Sequence, residues 1–226
     1  MPQVLFVHSS PPASEVRKLS QGFCTRQMAR VLKERIKGRG VRAIDRDIAA
    51  NPPGMVDRDF VLAANVHEGF RTAEQNARLK ESDELVNEVL KSDVIVIGCP
   101  MVGGQIPMPL KAWMDNLVRP GKTFTKPDNP QHEHTYGLLH GKLVVLLESD
   151  SAENRFKHQG YVVTDAQLRS TLTKLGVRHF ERVTVKESNN PLIGPCDPVS
   201  WVKCESNLND LADRLKKRWE TQVLAA

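Results

Sequence analysis

Short apolar runs alternate along this chain with longer stretches in which apolar residues recur every three or four positions. Uninterrupted runs at residues 4–7, 94–97 and 143–147 are typical of strands buried on both faces of a parallel sheet. Shorter or alternating runs at residues 41–44 and 180–185 complete a set of five predicted strands. Helical spacing covers residues 19–36, 72–91, 110–118, 162–175 and 199–220. Residues 45–70 are rich in Pro, Asn, Asp and Gly, which predicts a long surface loop.

This order of elements predicts an α/β fold, a doubly wound five-stranded parallel sheet of strand order 2-1-3-4-5 with helices on both faces. Residues 1–226 are expected to form a single domain, with a surface excursion at about 126–140. In such a sheet the loops after strands one, three and four meet at the carboxyl edge. Flat mononucleotides such as FMN bind at that place.

Composition narrows the classes of function. Lys and Arg outnumber Asp and Glu by 32 to 27, but they are scattered, and aromatic residues make up only 5%, which argues against a nucleic-acid groove. No apolar run approaches membrane-spanning length and the first residues lead into a strand pattern, so we expect no membrane partner and a cytoplasmic location. Without a Cys-x-x-Cys pair, the cysteines are expected to be reduced thiols. They are Cys24, Cys99, Cys196 and Cys204.

Hydroxyl groups and a cation follow the first predicted strand. Ser9, Ser10, Ser14 and Arg17 lie between that strand and the first helix, where hydroxyl and backbone N–H groups can hold a phosphate and an Arg can add a charged hydrogen bond. These residues are the predicted phosphate site. The alternative for Ser14 is an ordinary helix N-cap, a position in which Ser is common.

A Pro/Gly turn follows the third predicted strand. Pro100, Met101, Val102, Gly103 and Gly104 run along the carboxyl edge, where the backbone N–H groups that follow the proline could bond a flat ring and the small residues allow close approach. An ordinary strand-to-helix connection is the alternative.

Two further groups of residues are weaker candidates for a catalytic or metal site. Cys99 has no base nearby in sequence and is expected to pack in the core. His132, Glu133 and His134 lack the further ligands of a metal site, so we expect no metal.

Five segments of the chain, taken together, resemble one known family. They are residues 4–10, 45–52, 82–85, 93–101 and 110–124, and they keep the family's order and spacing. These segments look like the FMN-dependent NADH-azoreductases, a branch of the flavodoxin-like NAD(P)H:quinone oxidoreductases. Residues 93–101, together with Arg-Asp-Ile-Ala-Ala-Asn-Pro at 46–52, carry the most specific part of the likeness.

The resemblance implies a flavodoxin-like fold, an FMN cofactor, NADH or NADPH as co-substrate, and a homodimer with two sites at its interface. It also implies ping-pong transfer of two electrons to a quinone or azo-type acceptor. Ser9 and Ser14 would then bind the phosphate, and Ser149 would lie in the loop after strand four. Pro100, Met101, Val102 and Gly103 would follow the flavin. Phe124 would line the shared substrate pocket, and it is the candidate catalytic residue.

The chain departs from the family's pattern at three places. Val16 replaces a phosphate-loop Ser, Val102-Gly103-Gly104 replaces Tyr-Asn-Phe, and Asp150 replaces an Arg. A flavodoxin-fold protein that works without flavin, as an enzyme or a small-molecule binding protein, is therefore the alternative function. A one-electron carrier of the flavodoxin type is a further alternative, but such carriers are commonly acidic and this chain is basic.

Overall fold

A computed structural model of the protein describes residues 1–11, 23–38, 40–100, 105–125, 136–150, 160–188 and 196–224. Five parallel strands form one sheet of order β2-β1-β3-β4-β5. Their bounds are β1 (Gln3–His8), β2 (Arg42–Asp47), β3 (Val94–Pro100), β4 (Leu143–Asp150) and β5 (His179–Lys186). The predicted fold class and strand order are confirmed.

Helices cover both faces of the sheet. They are α1 (Phe23–Ile36), α2 (Arg58–Asn65), α3 (Ala73–Lys91), α4 (Met108–Asn116), α5 (Gly160–Lys174) and α6 (Pro198–Leu224). Apolar residues of α1 and α6 pack in one layer, and those of α3, α4 and α5 pack in the other. Among the described residues, no helix combines the length and the apolar character that crossing a membrane requires.

The central strands explain the uninterrupted apolar runs in the sequence. Successive side chains of a strand point to opposite faces, so Val4 and Phe6 face the α1–α6 layer while Leu5 and Val7 face the other. All seven residues of β3 are buried, since helices cover the sheet on both sides of it. A strand in this position needs apolar residues at every place.

The prediction of a long surface loop over residues 45–70 is wrong. This segment holds the end of β2, the helix α2 and a 3₁₀ turn at Glu68–Phe70. The side chain of Asp57 caps α2 by accepting a hydrogen bond from the N–H of Phe60 at 2.8 Å. Phe60 and Ala63 then pack on Leu79 of α3. An eight-residue helix between Pro- and Gly-rich flanks has too few turns to show a clear period.

The connection between α4 and β4 touches the end of α5 through two glycines. A Cβ atom at Gly137 would lie 2.1 Å from the backbone N of Gly176, and Leu139 donates a backbone hydrogen bond to Leu175 at 2.8 Å. Residues 126–135 of the predicted surface excursion lie outside the described residues, but Gly137 and Leu139 are buried. This contact anchors the chain as it enters β4.

We predict that Gly137→Ala destabilises the protein by about 3 kcal/mol, because the added methyl meets backbone atoms that cannot move aside easily. Urea denaturation followed by circular dichroism measures the change. Gly69→Ala is the matched control, since a Cβ there would meet only the ring of His67 at an ordinary 3.6 Å. Equal stability of the two variants would contradict the proposed close contact.

Candidate functional site

The tips of β1, β3 and β4 lie side by side at the carboxyl edge of the sheet. His8 pairs with Gly98, and Pro100 pairs with Ser149. From β1 the chain passes to β2 on one side, and from β3 it passes to β4 on the other side. Connections that leave in opposite directions open a crevice at this point of the sheet.

Hydroxyl groups hold the tip of β1 in place. Ser9 is buried, and its Oγ donates a hydrogen bond to the carbonyl oxygen of Gly98 at 2.6 Å. Ser10 Oγ lies 3.0 Å from Thr25 Oγ1 on α1. A Cβ at Gly98 would lie 3.4 Å from the Cβ of Thr25, so α1 packs closely on this tip. The hydroxyls of Ser9 and Ser10 are thus engaged in joining β1 to β3 and to α1.

An ion pair between Arg26 and Asp47 also stabilises the tip of β1. Arg26 of α1 donates from Nε to the carbonyl oxygen of Ser10 at 2.7 Å, and its Nη2 contacts both carboxylate oxygens of Asp47 at 2.8 and 2.9 Å. Burial acts to raise the pKa of Asp47, but the hydrogen bonds from Arg26 and from the backbone N–H of Ala50, together with the charge of Arg26, outweigh it, so this pKa lies below its usual value. Nothing in the sequence distinguishes Arg26 from the other Arg residues of a helix, so its role is visible only in the structure.

A second group of charges lies beside the first. His8 Nε2 is 3.0 Å from Asp45 Oδ1, and Lys33 contacts the other carboxylate oxygen of Asp45. Burial opposes ionisation of Asp45, but the hydrogen bonds and electrostatic attraction from Lys33 and His8 together outweigh it, so its pKa is also lowered. The cations behind the β1 tip are therefore neutralised by carboxylates of β2.

Two buried carboxylates lie at the tip of β4 on opposite faces of the sheet, Glu148 of β4 itself and Glu187, which follows β5. Ser149 Oγ donates to Glu187 Oε1 at 2.7 Å, and both residues are buried. Glu148 faces the other layer, fully buried, with Arg182 Nε 3.8 Å from its Oε2. Ser149 lies within β4 and not, as the resemblance implies, in the loop after it, because the strand continues to Asp150. Its hydroxyl is engaged with Glu187, and its predicted role in binding the cofactor stays a prediction.

Cys99 is fully buried on the same face as Glu148. Burial, with a further contribution from the charge of Glu148, raises the pKa of the Cys99 thiol to about 12. A thiol that stays protonated is a poor nucleophile. The prediction that Cys99 packs in the core is confirmed.

The structure corrects the expectation that all four cysteines are reduced thiols. Cys24 of α1 and Cys196 form a disulfide, with their Cα atoms 5.7 Å apart. The two residues are separated by 172 positions, so no local motif indicates the pair. Packing of α1 against α6 brings them together.

Several predicted site residues lie outside the described residues, and their roles stay predictions. They are Ser14, Arg17, Met101, Val102, Gly103 and Gly104. The departures at Val16, Val102, Gly103 and Gly104 and the segment from His132 to His134 lie there too. Of the predicted site, the structure brings together Ser9, Pro100 and Ser149.

The structure places Phe124 away from these strand tips. Phe124 forms a bridge with Gly137, which lies against Gly176 just before the first residue of β5. That is the amino end of the strands, opposite the crevice. Phe124 lines a groove of about 470 Å³ between α2 and the end of α4, together with Phe60, Val61 and Val118.

Comparison with known proteins agrees with this architecture. A family described as having a flavodoxin-like fold matches residues 2–193. The FMN-dependent NADH:quinone oxidoreductase of Rhizobium johnstonii is 33% identical over 189 residues, which cover 82% of this chain and 87% of that protein. The chain belongs to this family. A second member, FMN-dependent NADH:quinone oxidoreductase 2 of Idiomarina loihiensis, is 40% identical over 121 residues, but the match covers only 48% of that protein and 52% of this chain.

A solved structure is similar to this chain in fold although the sequence identity is low. The FMN-dependent NADH-azoreductase from Bacillus anthracis str. Ames Ancestor, in complex with FMN, superposes with a TM-score of 0.73. The match covers 95% of this chain and 99% of that one, at 17% identity. At 17% identity, this comparison shows that the two chains have the same fold, and no more than that.

We predict that Arg26→Ala lowers the free energy of unfolding by about 2 kcal/mol at pH 7, because it removes charged hydrogen bonds from Ser10 and Asp47. Asp47 has a lowered pKa in the folded protein, so its share of the stability is present above about pH 4 and is lost as the pH falls. The difference between wild type and variant should therefore narrow below about pH 4.

Urea denaturation at a series of pH values measures this difference. Arg30→Ala is the matched control, since Arg30 is exposed on the same helix. A difference between wild type and Arg26→Ala that is the same at pH 7 and pH 3 would contradict the role assigned to the pair.

Proposed function

We propose that the protein is an FMN-dependent NAD(P)H oxidoreductase that transfers two electrons to a quinone or azo-type acceptor. One observation carries this proposal. The tips of β1, β3 and β4 meet at the switch point of a 2-1-3-4-5 sheet, in a chain related over 82% of its length to an FMN-dependent NADH:quinone oxidoreductase. The single domain over residues 1–226 and the cytoplasmic location stay predictions.

The described residues fit an FMN cofactor. A flat ring needs a crevice without bulky side chains at its mouth, and β3 ends there at the buried Pro100. The nearby cations Arg26 and Lys33 are already neutralised by Asp47 and Asp45. Most of the attraction for the phosphate would therefore come from backbone N–H groups, as is common at the start of a helix.

Each predicted residue has a definite task in this proposal. Ser9 would contact the phosphate through its backbone, because its hydroxyl already donates to Gly98. Ser14 and Arg17 would complete the phosphate site. The chain from Pro100 through Gly104 would place backbone N–H groups along the ring edge, where negative charge develops on reduction.

The cofactor supplies chemistry that no protein side chain provides. Bound FMN would exchange two electrons, so the protein needs to bind, orient and shield rather than to supply a nucleophile or a catalytic triad. The inert thiol of Cys99 agrees with this division of labour. Nicotinamide and acceptor would occupy the same open face in turn, which is the ping-pong order.

The deciding experiment is spectroscopic and kinetic. We expect the purified protein to bind FMN. The visible absorption of the bound FMN should decrease when NADH or NADPH is added, and it should return when benzoquinone or an azo dye is added. Initial rates at varied concentrations of both substrates should give the parallel lines of a ping-pong scheme. A protein that does not bind FMN would refute this function and favour the flavin-free alternative.

We also propose that the protein forms a homodimer in which Phe124 completes the site of the partner copy. Phe124 lies near the amino ends of its own strands, so it cannot line the crevice at the carboxyl ends of the same chain. The groove beside it is bordered by apolar side chains that are exposed on this chain, Val61 at 48% and Val118 at 40%. Exposed apolar surface of this kind is typical of an interface.

We predict that Val118→Asp converts the dimer to a monomer and lowers quinone reduction by about tenfold or more, because a charge would be buried in the interface and Phe124 would be lost from the partner's site. Analytical ultracentrifugation and steady-state rates measure the two effects. Val202→Asp is the control, since Val202 is exposed on α6, away from the groove. A wild-type protein that sediments as a fully active monomer would contradict the proposal.

A further inference from the structure

We propose that Cys24 and Cys196 form a reversible thiol–disulfide exchange site, and that its oxidised form braces the phosphate-binding side of the crevice. The reagent would be a low-molecular-weight disulfide of the glutathione class. The effect on the cofactor rests on the proposed function, whereas the exchange site itself does not.

The two cysteines lie where a bond can form and break without movement of the backbone. Their Cα atoms are 5.7 Å apart, which is within the range that disulfides require. Cys24 is the second residue of α1, and Cys196 lies two positions before α6 begins. Both helices pack in the same layer, so the reduced pair stays in contact.

The pair connects two of the strand tips. Cys196 forms an antiparallel bridge with Glu187, which accepts the hydrogen bond from Ser149 at the β4 tip. Cys24 precedes Thr25, whose hydroxyl contacts Ser10 at the β1 tip. The disulfide therefore closes a path from one side of the crevice to the other, behind the sheet edge.

The position of the bond matters for the phosphate. Ser10 lies at the tip of β1, and Cys24 lies at the start of α1. Hydrogen bonds hold Ser10, and the disulfide holds Cys24. Fixing these two elements relative to each other before the ligand arrives lowers the entropy lost on binding and increases affinity.

The other two cysteines are unsuited to the exchange. Cys99 and Cys204 are fully buried. Burial first, and then a nearby carboxylate, raises the pKa of each thiol to about 12. Cys196 keeps 7% of its surface exposed whereas Cys24 is fully buried, so Cys196 is the thiol of the pair that meets the reagent first. Cys204 lies in the same apolar layer as the pair and serves as an internal control.

The exchange balances in two steps. The Cys196 thiolate attacks the small disulfide, forming a mixed disulfide and releasing one small thiol. The Cys24 thiolate then attacks the Cys196 sulfur, forming the protein disulfide and releasing the second small thiol. Two electrons pass from the cysteines to the reagent, and their two protons go to the released thiols.

The test compares the full-length protein after treatment with glutathione disulfide and after treatment with dithiothreitol. Peptide mapping without reduction detects a linked Cys24–Cys196 peptide. Amide hydrogen exchange is measured over residues 24–28, and FMN affinity is measured by quenching of flavin fluorescence. Wild type, Cys196→Ser and Cys204→Ser are carried through all three measurements.

We expect the oxidised wild type to yield the linked peptide, to exchange more slowly at the start of α1, and to bind FMN about fivefold more tightly than the reduced form. Cys196→Ser should show the reduced values under both treatments. Cys204→Ser should respond like wild type.

Two results would overturn the inference. One is the absence of the linked peptide under oxidising conditions. The other is hydrogen exchange that does not depend on the treatment. FMN affinity equal in both states would overturn the coupling to the crevice. If FMN binds to neither state while the linked peptide and the amide hydrogen exchange still depend on the treatment, the thiol–disulfide exchange site is supported and the proposed function is refuted.

Discussion

The parallel pairing of β1 with β3 is the constraint on which the rest of this structure depends. The register runs from Val4 opposite Val94 to His8 opposite Gly98. The two strands are consecutive in space but not in sequence, so the chain must cross to β2 before it returns. Right-handed crossovers then place helices on both faces, and the loops at the carboxyl edge diverge. A crevice at the tips follows from strand order alone.

The polar groups behind the tips preserve this geometry without filling the crevice. Arg26 neutralises Asp47 and holds the carbonyl of Ser10, so the β1 tip is tied to α1 and β2 together. Ser149 and Glu187 do the same at the β4 tip. Such buried and partly buried pairs contribute position more than net stability, because desolvation offsets much of their attraction. Backbone groups are then the natural donors for a bound anion.

Periodicity predicted the elements well where burial is complete. The β3 segment is apolar without interruption because both faces are covered, and the predicted helix over residues 72–91 agrees with α3, which begins at a capping box of Thr72 and Gln75 in the structure. The method failed at α2, whose eight residues carry one short apolar face. For the site, sequence position indicated Ser9 and the family resemblance implied Ser149, but both hydroxyls are engaged in hydrogen bonds within the protein.

The sequence by itself determined the class of fold, the strand order and the edge of the sheet at which chemistry belongs. These properties depend on hydrophobic period, chain direction and handedness, which are local or general. Only the tertiary structure decided that Arg26 supports Ser10, that Cys24 meets Cys196, and that Phe124 lies apart from the crevice. Contacts between residues far apart in the chain depend on how the helices pack, and no local pattern encodes them.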